Sequence, residues 1–327
     1  MAGLGIGVFG AARITAKALV HPAQVTPQCQ LVAIAARDRS RAEAYAKKHE
    51  FAQVFDSYAG VLASEQVDLV YNPLPINLHA EWTIKALEAG KHVLCEKPFA
   101  MNADEARAML AASEKAGKRL VEAFHYRYHP AFETCLAWLA SDEIGELKEI
   151  HAAFDVTIKD NGTEIRHRVE TGGGAMMDLG CYPLHWALTI AGSAPSDIKA
   201  SATLTKAGVD ETLQADLGFA SGIAAHLTTD MSQGTPFRAE MKLIGSKGEI
   251  EFINPLAPHA GARLRSSSGR EAEISPISTY TYQLASVLRA IQLGTPLPTE
   301  GEMILRQQEA LDEIYAAAGL CHLRYLA

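Results

Sequence analysis

The sequence predicts an α/β protein in which a doubly wound parallel sheet of the Rossmann type is followed by an α+β domain with a large, open, mainly antiparallel sheet. Three observations predict this fold class. Short apolar runs alternate with helical segments over about the first 125 residues, the rhythm changes after Pro130, and period-two alternation then follows. Near-continuous apolar runs suit strands that are buried on both faces, whereas alternation suits a sheet with one open face.

The first domain is predicted to span residues 1–125. Its strands are the apolar runs 4–9, 31–36, 67–71, 92–95 and 119–124, and its clearest helical segments are 40–48, 78–89 and 103–116. Gly90 and Gly117 stand where two of these helices should stop. Strand–helix–strand alternation of this kind is typical of a doubly wound sheet.

The second domain is predicted to span residues 126–327. After a helix at 131–140, its strands are 148–158, 213–219, 223–229, 239–244 and 249–252. Strands that follow one another through glycine-containing turns indicate antiparallel pairing. Two helices, 280–293 and 300–318, close the chain, and packing of these helices back on the first domain is left open.

The composition argues against several classes of protein. A formal net charge of −8, with no lysine or arginine run longer than two residues, argues against nucleic-acid binding. No apolar stretch approaches the roughly 20 residues that cross a bilayer, and residues 1–5 lack the pattern of a signal peptide. The five cysteines form no CxxC pair and no zinc-like spacing, so reduced thiols, a cytoplasmic location and no metal site are expected.

The turn after the first predicted strand has the composition of a dinucleotide-binding turn. Small residues permit a tight turn there, and the following helix offers N–H groups to a pyrophosphate. Only Gly10 of the GxGxxG fingerprint is a glycine, because Ala12 and Thr15 hold the other two glycine places. An ordinary packing turn is the alternative, but the position between a strand and a helix favours a cofactor site. The residues predicted to form it are Gly10, Ala11, Ala12, Arg13 and Ile14.

The end of the second predicted strand favours NADP over NAD. An NAD site usually has an acidic side chain at this strand end, and Ala36 stands there instead, followed by Arg37. A guanidinium binds a 2′-phosphate through two hydrogen bonds, and Arg41 lies one helical turn further on. The alternative is a solvated helix start that is capped by Asp38 or Ser40.

A lysine follows the fourth predicted strand, at the edge where doubly wound sheets bind ligands. The motif is Glu96-Lys97-Pro98. Lys97 is placed to hydrogen-bond a reacting oxygen and to transfer a proton, and Pro98 can fix the backbone, for example through a cis peptide bond. The alternative is an exposed Glu-Lys pair in a loop.

A second group of polar residues follows a run of three glycines, Gly172 to Gly174. Asp178, Tyr182 and His185 are separated by four and three residues, which places them on one face of a helix. Tyr182 is a candidate to pass a proton to a developing alkoxide, with Asp178 or Lys97 tuning it. The alternative is that the glycines and the histidine belong to the scaffold.

Taken together, these motifs resemble the glucose-fructose oxidoreductase, inositol dehydrogenase and MocA (Gfo/Idh/MocA) family over nearly the whole chain. The motifs that carry the resemblance are residues 10–14, 75–79, 96–98, 122–130 and 172–185. The family implies a Rossmann domain followed by a domain whose open sheet supports substrate binding and oligomer contacts. It also implies that Lys97 is catalytic, and that Pro75, His79, Glu96 and Pro98 lie along the cofactor.

The tyrosine at position 182 places the resemblance in one branch of the family. Many members carry a histidine there, whereas the branch with tyrosine includes the dimeric dihydrodiol dehydrogenases, which are NADP enzymes. The run from Ala35 to Ala42 is especially similar to these enzymes, which supports Arg37 and Arg41 as phosphate ligands. Inositol dehydrogenases carry an aspartate where this chain has His185, so a second catalytic acid is not implied.

The resemblance also implies substrate contacts and an oligomer. The candidates for substrate binding are Tyr126, Arg127, Arg166 and His185. A homodimer or homotetramer is expected through the second sheet, because an uncovered sheet face would leave a large apolar patch in water.

The function implied is NADP(H)-dependent hydride transfer to or from a carbon that bears a hydroxyl or carbonyl group. Lys97 and Tyr182 are expected to handle the proton at one substrate oxygen, with Asp178 assisting. Sugars, keto-sugars, inositols and dihydrodiols all remain open as substrates. The alternative is a non-catalytic sensor of dinucleotides or sugars on the same fold.

Overall fold

The structure is a computed structural model that describes residues 3–325. Met1 and Ala2, on which part of the expectation about a signal peptide rests, lie outside the described residues. The chain divides into two compact units. The first comprises the residues up to Ala100, Asp104–His125 and Ser278–Leu305, and the second comprises Met101–Ala103, Tyr126–Ile277 and the residues from Arg306 onward.

Strands and helices alternate along the chain from residue 3 to residue 125. The strands are β1 (Leu4–Phe9), β2 (Cys29–Ala35), β3 (Gln53–Phe55), β4 (Leu69–Asn72), β5 (His92–Cys95) and β6 (Leu120–Glu122). The α-helices are α1 (Arg13–Thr15), α2 (His21–Gln24), α3 (Arg39–His49), α4 (Tyr58–Ala63), α5 (His79–Glu88) and α6 (Ala103–Ala116). A π-helical turn, Ala16–Val20, joins α1 to α2, so the first helical segment is continuous.

The remaining residues form the second sheet and the helices around it. In chain order the elements are α7 (Pro130–Ala140), β7 (Leu147–Asp155), α8 (Cys181–Ala191), β8 (Asp197–Leu204), β9 (Asp210–Gly218), β10 (Ala224–Asp230), β11 (Arg238–Gly245), β12 (Glu249–Ile253), β13 (Arg263–Ser266), α9 (Thr279–Leu293) and α10 (Glu302–Ala317). Among residues 3–325, no helix has both the length and the apolar character needed to cross a membrane.

The first sheet is parallel throughout, with the strand order β3-β2-β1-β4-β5-β6. This order reverses direction between β1 and β4, which is the position where doubly wound sheets form a ligand crevice. The order and direction of the strands confirm the predicted Rossmann-type sheet.

Both faces of the first sheet are covered by helices. On one face, Ile6 and Val8 of β1 pack in a core with Leu284 and Leu288 of α9. On the other face, a second core includes Phe9, Val61 of α4 and Ala86 of α5. Burial on both faces explains why the first-domain strands are continuous apolar runs. Helix α9 therefore belongs to the first unit, although it lies far along the chain.

The second sheet has seven strands in the order β13-β12-β11-β7-β10-β9-β8. Strands β7 and β10 run parallel, and the other neighbouring strands pair antiparallel. This confirms the prediction of a mainly antiparallel sheet. Helix α8 packs on one face of β7 and β10, where Ile150, Phe154 and Leu227 are buried.

The outward face of the second sheet is polar. On β10, buried Ala225 and Leu227 alternate with half-exposed His226 and Thr228, and the same alternation continues on β11. The expectation that this face would present a large apolar patch is therefore wrong. This apolar patch was the physical reason for expecting an oligomer. The oligomeric state itself stays a prediction.

Three strands were missed by the sequence prediction, namely β3, β8 and β13. All three lie at an edge of their sheet. An edge strand has a neighbour on one side only, so it buries less and keeps a weaker apolar pattern. Strand β8 alternates between exposed and half-exposed residues without a single buried one, and β3 is three residues long.

Asp210, at the start of β9, is a buried carboxylate that holds the glycine-rich turn. Its Oδ2 accepts a hydrogen bond of 2.6 Å from the N–H of Met176, and its Oδ1 accepts one of 2.7 Å from the hydroxyl of Tyr315. Gly174 has a φ of +131°, and a Cβ at this position would overlap Oδ1. Burial raises the pKa of Asp210 to about 6. The turn that leads into α8 is therefore fixed by Asp210, an acid whose ionised form is disfavoured by burial.

We predict that Asp210→Asn removes a pH-dependent loss of stability. In the unfolded chain an aspartate titrates near about 3.9, so between that pH and about 6 the native state binds more protons and loses stability as pH rises. Relative to the unmodified protein, the variant should gain up to about 3 kcal/mol between pH 4 and pH 7. The measurement is the midpoint of urea unfolding at several pH values, monitored by tryptophan fluorescence. A stability difference that does not change with pH would contradict the assignment.

Candidate active site

A pocket of about 480 Å³ lies at the carboxyl edge of the first sheet. It forms where β1, β2 and β4 end, at the point where the strand order reverses. Its lining residues are Gly10, Ala11, Ala12, Ala36, Arg37, Asp38, Arg41, Tyr58, Pro73, Leu74, Pro75 and Leu78. The structure thus brings together many of the residues that were predicted to bind the cofactor.

The turn at Gly10 has the geometry of a tight strand-to-helix turn. Gly10 has a φ of +78°, and its N–H donates a hydrogen bond of 2.7 Å to the carbonyl of Ala35. Ala12 precedes α1 without a side-chain capping bond, which suits a helix start that receives a phosphate. Arg13 and Ile14 are exposed on α1 and do not line the pocket, so their contact with a cofactor stays a prediction.

The charged residues after β2 have distinct partners. Asp38 caps α3, because its Oδ1 accepts hydrogen bonds from the N–H groups of Ser40 and Arg41 at 2.9 and 3.3 Å. The guanidinium of Arg39 pairs with Glu43 and with Asp56, which follows β3. Arg37 and Arg41 line the pocket. The two interpretations from the sequence are therefore compatible, because Asp38 caps the helix while the arginines form a basic pocket wall.

Tyr58 is a pocket residue that sequence reasoning missed. It follows β3, and its half-buried ring packs against Phe9 and Trp82 with centroid distances of 5.1 and 4.9 Å. Burial raises the pKa of Tyr58, and the nearby charge of Arg37 opposes the rise. An aromatic ring beside a guanidinium suits the binding of a planar heterocycle. The edge strand that precedes Tyr58 was itself missed, so no sequence signal marked this position.

His79 joins the two loops that follow β4 and β5. Its Nε2 lies 2.7 Å from the carbonyl of Leu74, and its Nδ1 lies 3.1 and 3.2 Å from the carbonyls of Pro98 and Phe99. Burial lowers the pKa of His79 to about 4, so the ring is neutral and Nε2–H is the better donor. Pro75 lines the pocket, whereas His79 is 1% exposed and does not, so its contact with a cofactor stays a prediction.

Lys97 follows β5 and stands beside a hydrogen-bonded carboxylate. Oε1 of buried Glu96 accepts a hydrogen bond of 2.6 Å from the hydroxyl of Tyr71, and its Oε2 accepts one of 3.3 Å from the N–H of Lys97. The Lys97–Pro98 peptide bond is cis, and Lys97 itself is half-buried. The alternative of an exposed Glu-Lys pair is wrong, because Glu96 is buried and fixed by the long-range contact with Tyr71.

Glu122, which sequence reasoning did not select, lies at the end of the neighbouring strand β6. It pairs with Cys95 across the sheet and is 1% exposed. Burial raises the pKa of Glu122 well above its usual range, and the charge of Lys97 opposes this. The two carboxyl groups at this corner differ in their surroundings, because that of Glu96 accepts a hydrogen bond from the hydroxyl of Tyr71. An acid inside an otherwise apolar run was the signal available in the sequence.

In the second unit, the three glycines meet protein atoms. A Cβ on Gly173 would overlap the carbonyl oxygen of Arg166, and one on Gly174 would overlap Asp210. The glycines are therefore required for close packing of this turn. Residues 176–180 form a π-helical turn that continues directly into α8, so the predicted helix begins before Tyr182.

Asp178 forms an ion pair with Arg166. Nε of Arg166 lies 2.6 Å from Oδ2 of Asp178, and its Nη1 lies 2.9 Å from Oε1 of Glu164. The charge of Asp178 is the largest cause of the raised pKa of Arg166. The carboxylate of Asp178 is therefore engaged by a guanidinium. The structure thus brings two predicted site residues together in one ion-pair network.

Tyr182 lies in a buried aromatic cluster with two further predicted site residues. Its ring centroid is 5.7 Å from Phe154 of β7 and 6.2 Å from Tyr126. The hydroxyl of Tyr126 lies 2.5 Å from Nδ1 of His185. Burial lowers the pKa of His185 to about 3, so its neutral ring accepts this hydrogen bond.

The burial of these residues limits direct contact with a ligand. Tyr126 and His185 are fully buried, and Tyr182 is 4% exposed. Arg127 forms an ion pair with Glu133 and lies 5.4 Å from the ring centroid of Phe132. The substrate contacts predicted for Tyr126, Arg127 and His185 therefore stay predictions, as does the convergence of Lys97 and Tyr182 on one substrate oxygen.

Two family models match the chain. The model of an oxidoreductase family with an NAD-binding Rossmann fold matches residues 4–124. The model of the GFO/IDH/MocA C-terminal domain matches residues 132–251. Together these matches cover the predicted nucleotide-binding end and most of the second sheet.

Curated relatives and solved structures are similar over most of their length. The chain is 33% identical to D-xylose 1-dehydrogenase (NADP(+)) 2 of Haloferax volcanii over 319 residues, which are 95% of this chain and 96% of the relative. It is 33% identical to trans-1,2-dihydrobenzene-1,2-diol dehydrogenase of Xenopus tropicalis over 224 residues, 68% of this chain and 67% of the relative. A 3-ketoreductase from Actinomadura kijaniata, solved with NADP and TDP-benzene, has a TM-score of 0.89 at 27% identity and covers 96% of this chain and 98% of its own.

The similarity extends over both units and includes the motifs from which the family resemblance was first drawn. The resemblance predicted from the sequence is therefore confirmed. This chain belongs to the Gfo/Idh/MocA family of oxidoreductases.

Proposed function

We propose that this protein is an NADP(H)-dependent dehydrogenase or reductase that acts on a hydroxyl or carbonyl carbon of a sugar, a sugar derivative or a diol. The observation that supports it most is the pocket wall after β2, where Arg37 and Arg41 stand and the neighbouring acid, Asp38, is engaged as a helix cap. The names of the relatives support the substrate class, since they include a sugar dehydrogenase, a diol dehydrogenase and a ketoreductase.

The lining of the pocket fits an NADP molecule. The turn at Gly10 leaves backbone N–H groups of Ala11 and Ala12 for the pyrophosphate, as the fold type requires. The guanidinium groups of Arg37 and Arg41 are suited to a 2′-phosphate, which needs two or more charge-assisted hydrogen bonds. An NAD site would need a carboxylate directly after β2 to accept from the ribose 2′-hydroxyl, and Ala36 stands there, while Oδ1 of Asp38 caps α3.

The bound nicotinamide supplies the hydride chemistry, and the protein supplies placement and proton handling. In the oxidative direction, Lys97 and Tyr182 accept the proton of the substrate hydroxyl as hydride leaves the same carbon. In the reductive direction they return that proton to the oxygen. Glu96, held by Tyr71, positions the backbone of Lys97.

The other residues predicted at the site support this chemistry. The Tyr126–His185 hydrogen bond fixes the aromatic cluster in which Tyr182 sits. Arg166 pairs with Asp178 and, because its side chain is 38% exposed, can also donate to substrate oxygens. Arg127 adds a positive charge near His185, which opposes protonation of that ring.

The direct test of activity is absorbance at the NADPH band with a panel of aldoses, keto-sugars, diketones and dihydrodiols. We expect turnover with at least one of these substrate classes. Tight NADPH binding without turnover of any of them would instead support the alternative of a non-catalytic sensor.

We predict that Arg37→Ala weakens NADPH binding by about 10- to 100-fold, because it removes charge-assisted hydrogen bonds to the 2′-phosphate. Binding of NADH, which lacks this phosphate, should change little. The measurement is a fluorescence titration with both cofactors. Arg39→Ala is the matched control, since Arg39 pairs with Glu43 and does not line the pocket. The NADP assignment fails if the unmodified protein binds NADH more tightly than NADPH.

We predict that Lys97→Met lowers kcat by about 100-fold or more, which is the usual contribution of a group that transfers a proton. NADPH affinity should remain within a few-fold of the unmodified protein. Lys85→Met is the control, because Lys85 forms an exposed ion pair with Glu81 on α5. Near-normal turnover of the Lys97 variant would remove this lysine from the mechanism.

We predict that Tyr182→Phe also lowers kcat by about 100-fold, because the ring and its packing remain while the proton-carrying hydroxyl is lost. The melting temperature and the NADPH dissociation constant should stay the same, which separates loss of chemistry from loss of structure. A variant that keeps its kcat would show that the hydroxyl carries no proton in the reaction.

A further inference from the structure

Two histidines face each other at the centre of the outward face of the second sheet. Strand β7 is the middle strand of the seven, and β10 is its parallel neighbour. His151 of β7 and His226 of β10 are direct partners in the register of these two strands. Their imidazole rings are stacked, with the centroids 4.8 Å apart.

A carboxylate completes this cluster. Glu149 precedes His151 by two residues, so both side chains point to the same face of β7. Nε2 of His151 lies 2.8 Å from Oε2 of Glu149. One potential ligand atom from each of Glu149, His151 and His226 lies within 4.8 Å of the other two. Among residues 3–325, this is the group of three such side chains that stands close enough to hold a metal ion.

The neighbour of His226 on the other side orients that ring. Asp216 of β9 is the direct partner of His226, and its Oδ1 lies 2.6 Å from Nδ1. A carboxylate that accepts from one ring nitrogen fixes the proton there and leaves the other nitrogen with its lone pair available. This arrangement of carboxylate, histidine and metal recurs in protein metal sites.

The surrounding charges are compatible with a cation. The nearest ammonium group on the facing strand, that of Lys242, forms an ion pair of 2.7 Å with Glu249. Glu149 and Asp216 contribute two negative charges next to the imidazoles. The side chains of His151, His226 and Glu149 are 43–46% exposed in the single chain.

We propose that Glu149, His151 and His226 form a binding site for a divalent transition metal ion, with Asp216 holding the ring of His226. Two imidazoles and a carboxylate suit Zn²⁺, with solvent completing a tetrahedral shell. In such a shell, ligand atoms about 2.0–2.1 Å from the ion are about 3.3 Å apart, so the exposed side chains would rotate until a lone pair of each imidazole points at the ion. The ion would bridge the parallel strands β7 and β10.

This site is separate from the proposed catalytic residues. His151 lies on the opposite face of β7 from Phe154, whose ring contacts Tyr182. Replacement of the histidines should therefore leave turnover unchanged, and the metal is not required for hydride transfer. Failure of this proposal would leave the proposed function untouched.

The test is a competition titration of the full chain, without a histidine tag, in which Zn²⁺ is shared between the protein and a chromophoric chelator. We expect one ion per chain, at least a tenfold loss of affinity in His226→Ala and His151→Ala, and about a tenfold loss in Asp216→Asn. Zn²⁺ should also raise the melting temperature of the unmodified protein and not that of the histidine variants.

Two controls make the outcome decisive. His21→Ala removes an exposed histidine of α2, and Cys321→Ser removes the exposed thiol, and neither should change the affinity or the stoichiometry. Each variant is melted without metal to show that it folds. Equal Zn²⁺ affinity of the unmodified protein and the His151→Ala/His226→Ala double variant would overturn the proposal, as the cluster would then be only a hydrogen-bonded ladder on the sheet.

Discussion

The candidate site of the first unit depends on one buried imidazole. His79 contacts carbonyl groups from two separate loops, one after β4 and one after β5. The first loop supplies the pocket residues Leu74 and Pro75, and the second carries Lys97. A single neutral ring therefore lies between the loop that lines the pocket and the loop that carries the lysine. The neutral ring donates one hydrogen bond, from Nε2–H to Leu74, and its Nδ1 edge packs against the carbonyls of Pro98 and Phe99, so both loops contact the same buried side chain.

A comparable constraint operates in the second unit through a buried acid. Asp210 accepts one hydrogen bond from the turn before α8 and one from α10. Position 174 requires a glycine, because a Cβ there would overlap the carboxylate of Asp210. In both units, polar groups inside the core position the segments that carry the chemistry. Apolar packing alone would fill these spaces without fixing the direction of a loop or of a helix start.

The parts of the site that the sequence predicted are those defined by local order. Gly10, Arg37 and Arg41 follow their strands directly, so the strand–turn–helix pattern locates them. Asp210 was missed because its importance comes from Met176 and Tyr315, which lie far along the chain, and no spacing rule reports such contacts. Tyr126 and His185 were predicted to contact substrate, which stays a prediction, and their depth in the core depends on packing that a sequence pattern does not encode.

The fold class was easier to predict than its edges. Strands that are buried on both faces produce long apolar runs, whereas β3, β8 and β13 bury little and leave a weak pattern. The polar character of the outward face of the second sheet was also not predicted. Period-two alternation indicated an open face, and its residues proved to be charged or polar where an apolar surface was expected.

Helix α9 has a consequence for the order in which the chain acquires its structure. Its residues Leu284, Val287 and Leu288 belong to the core beneath β1, yet they are synthesised after the whole second sheet. A nascent chain of 125 residues already contains all six strands of the first sheet, but one face of that sheet still lacks one of its covering helices. Until α9 emerges from the ribosome, this face exposes apolar surface, so chaperone binding and aggregation are favoured in that interval.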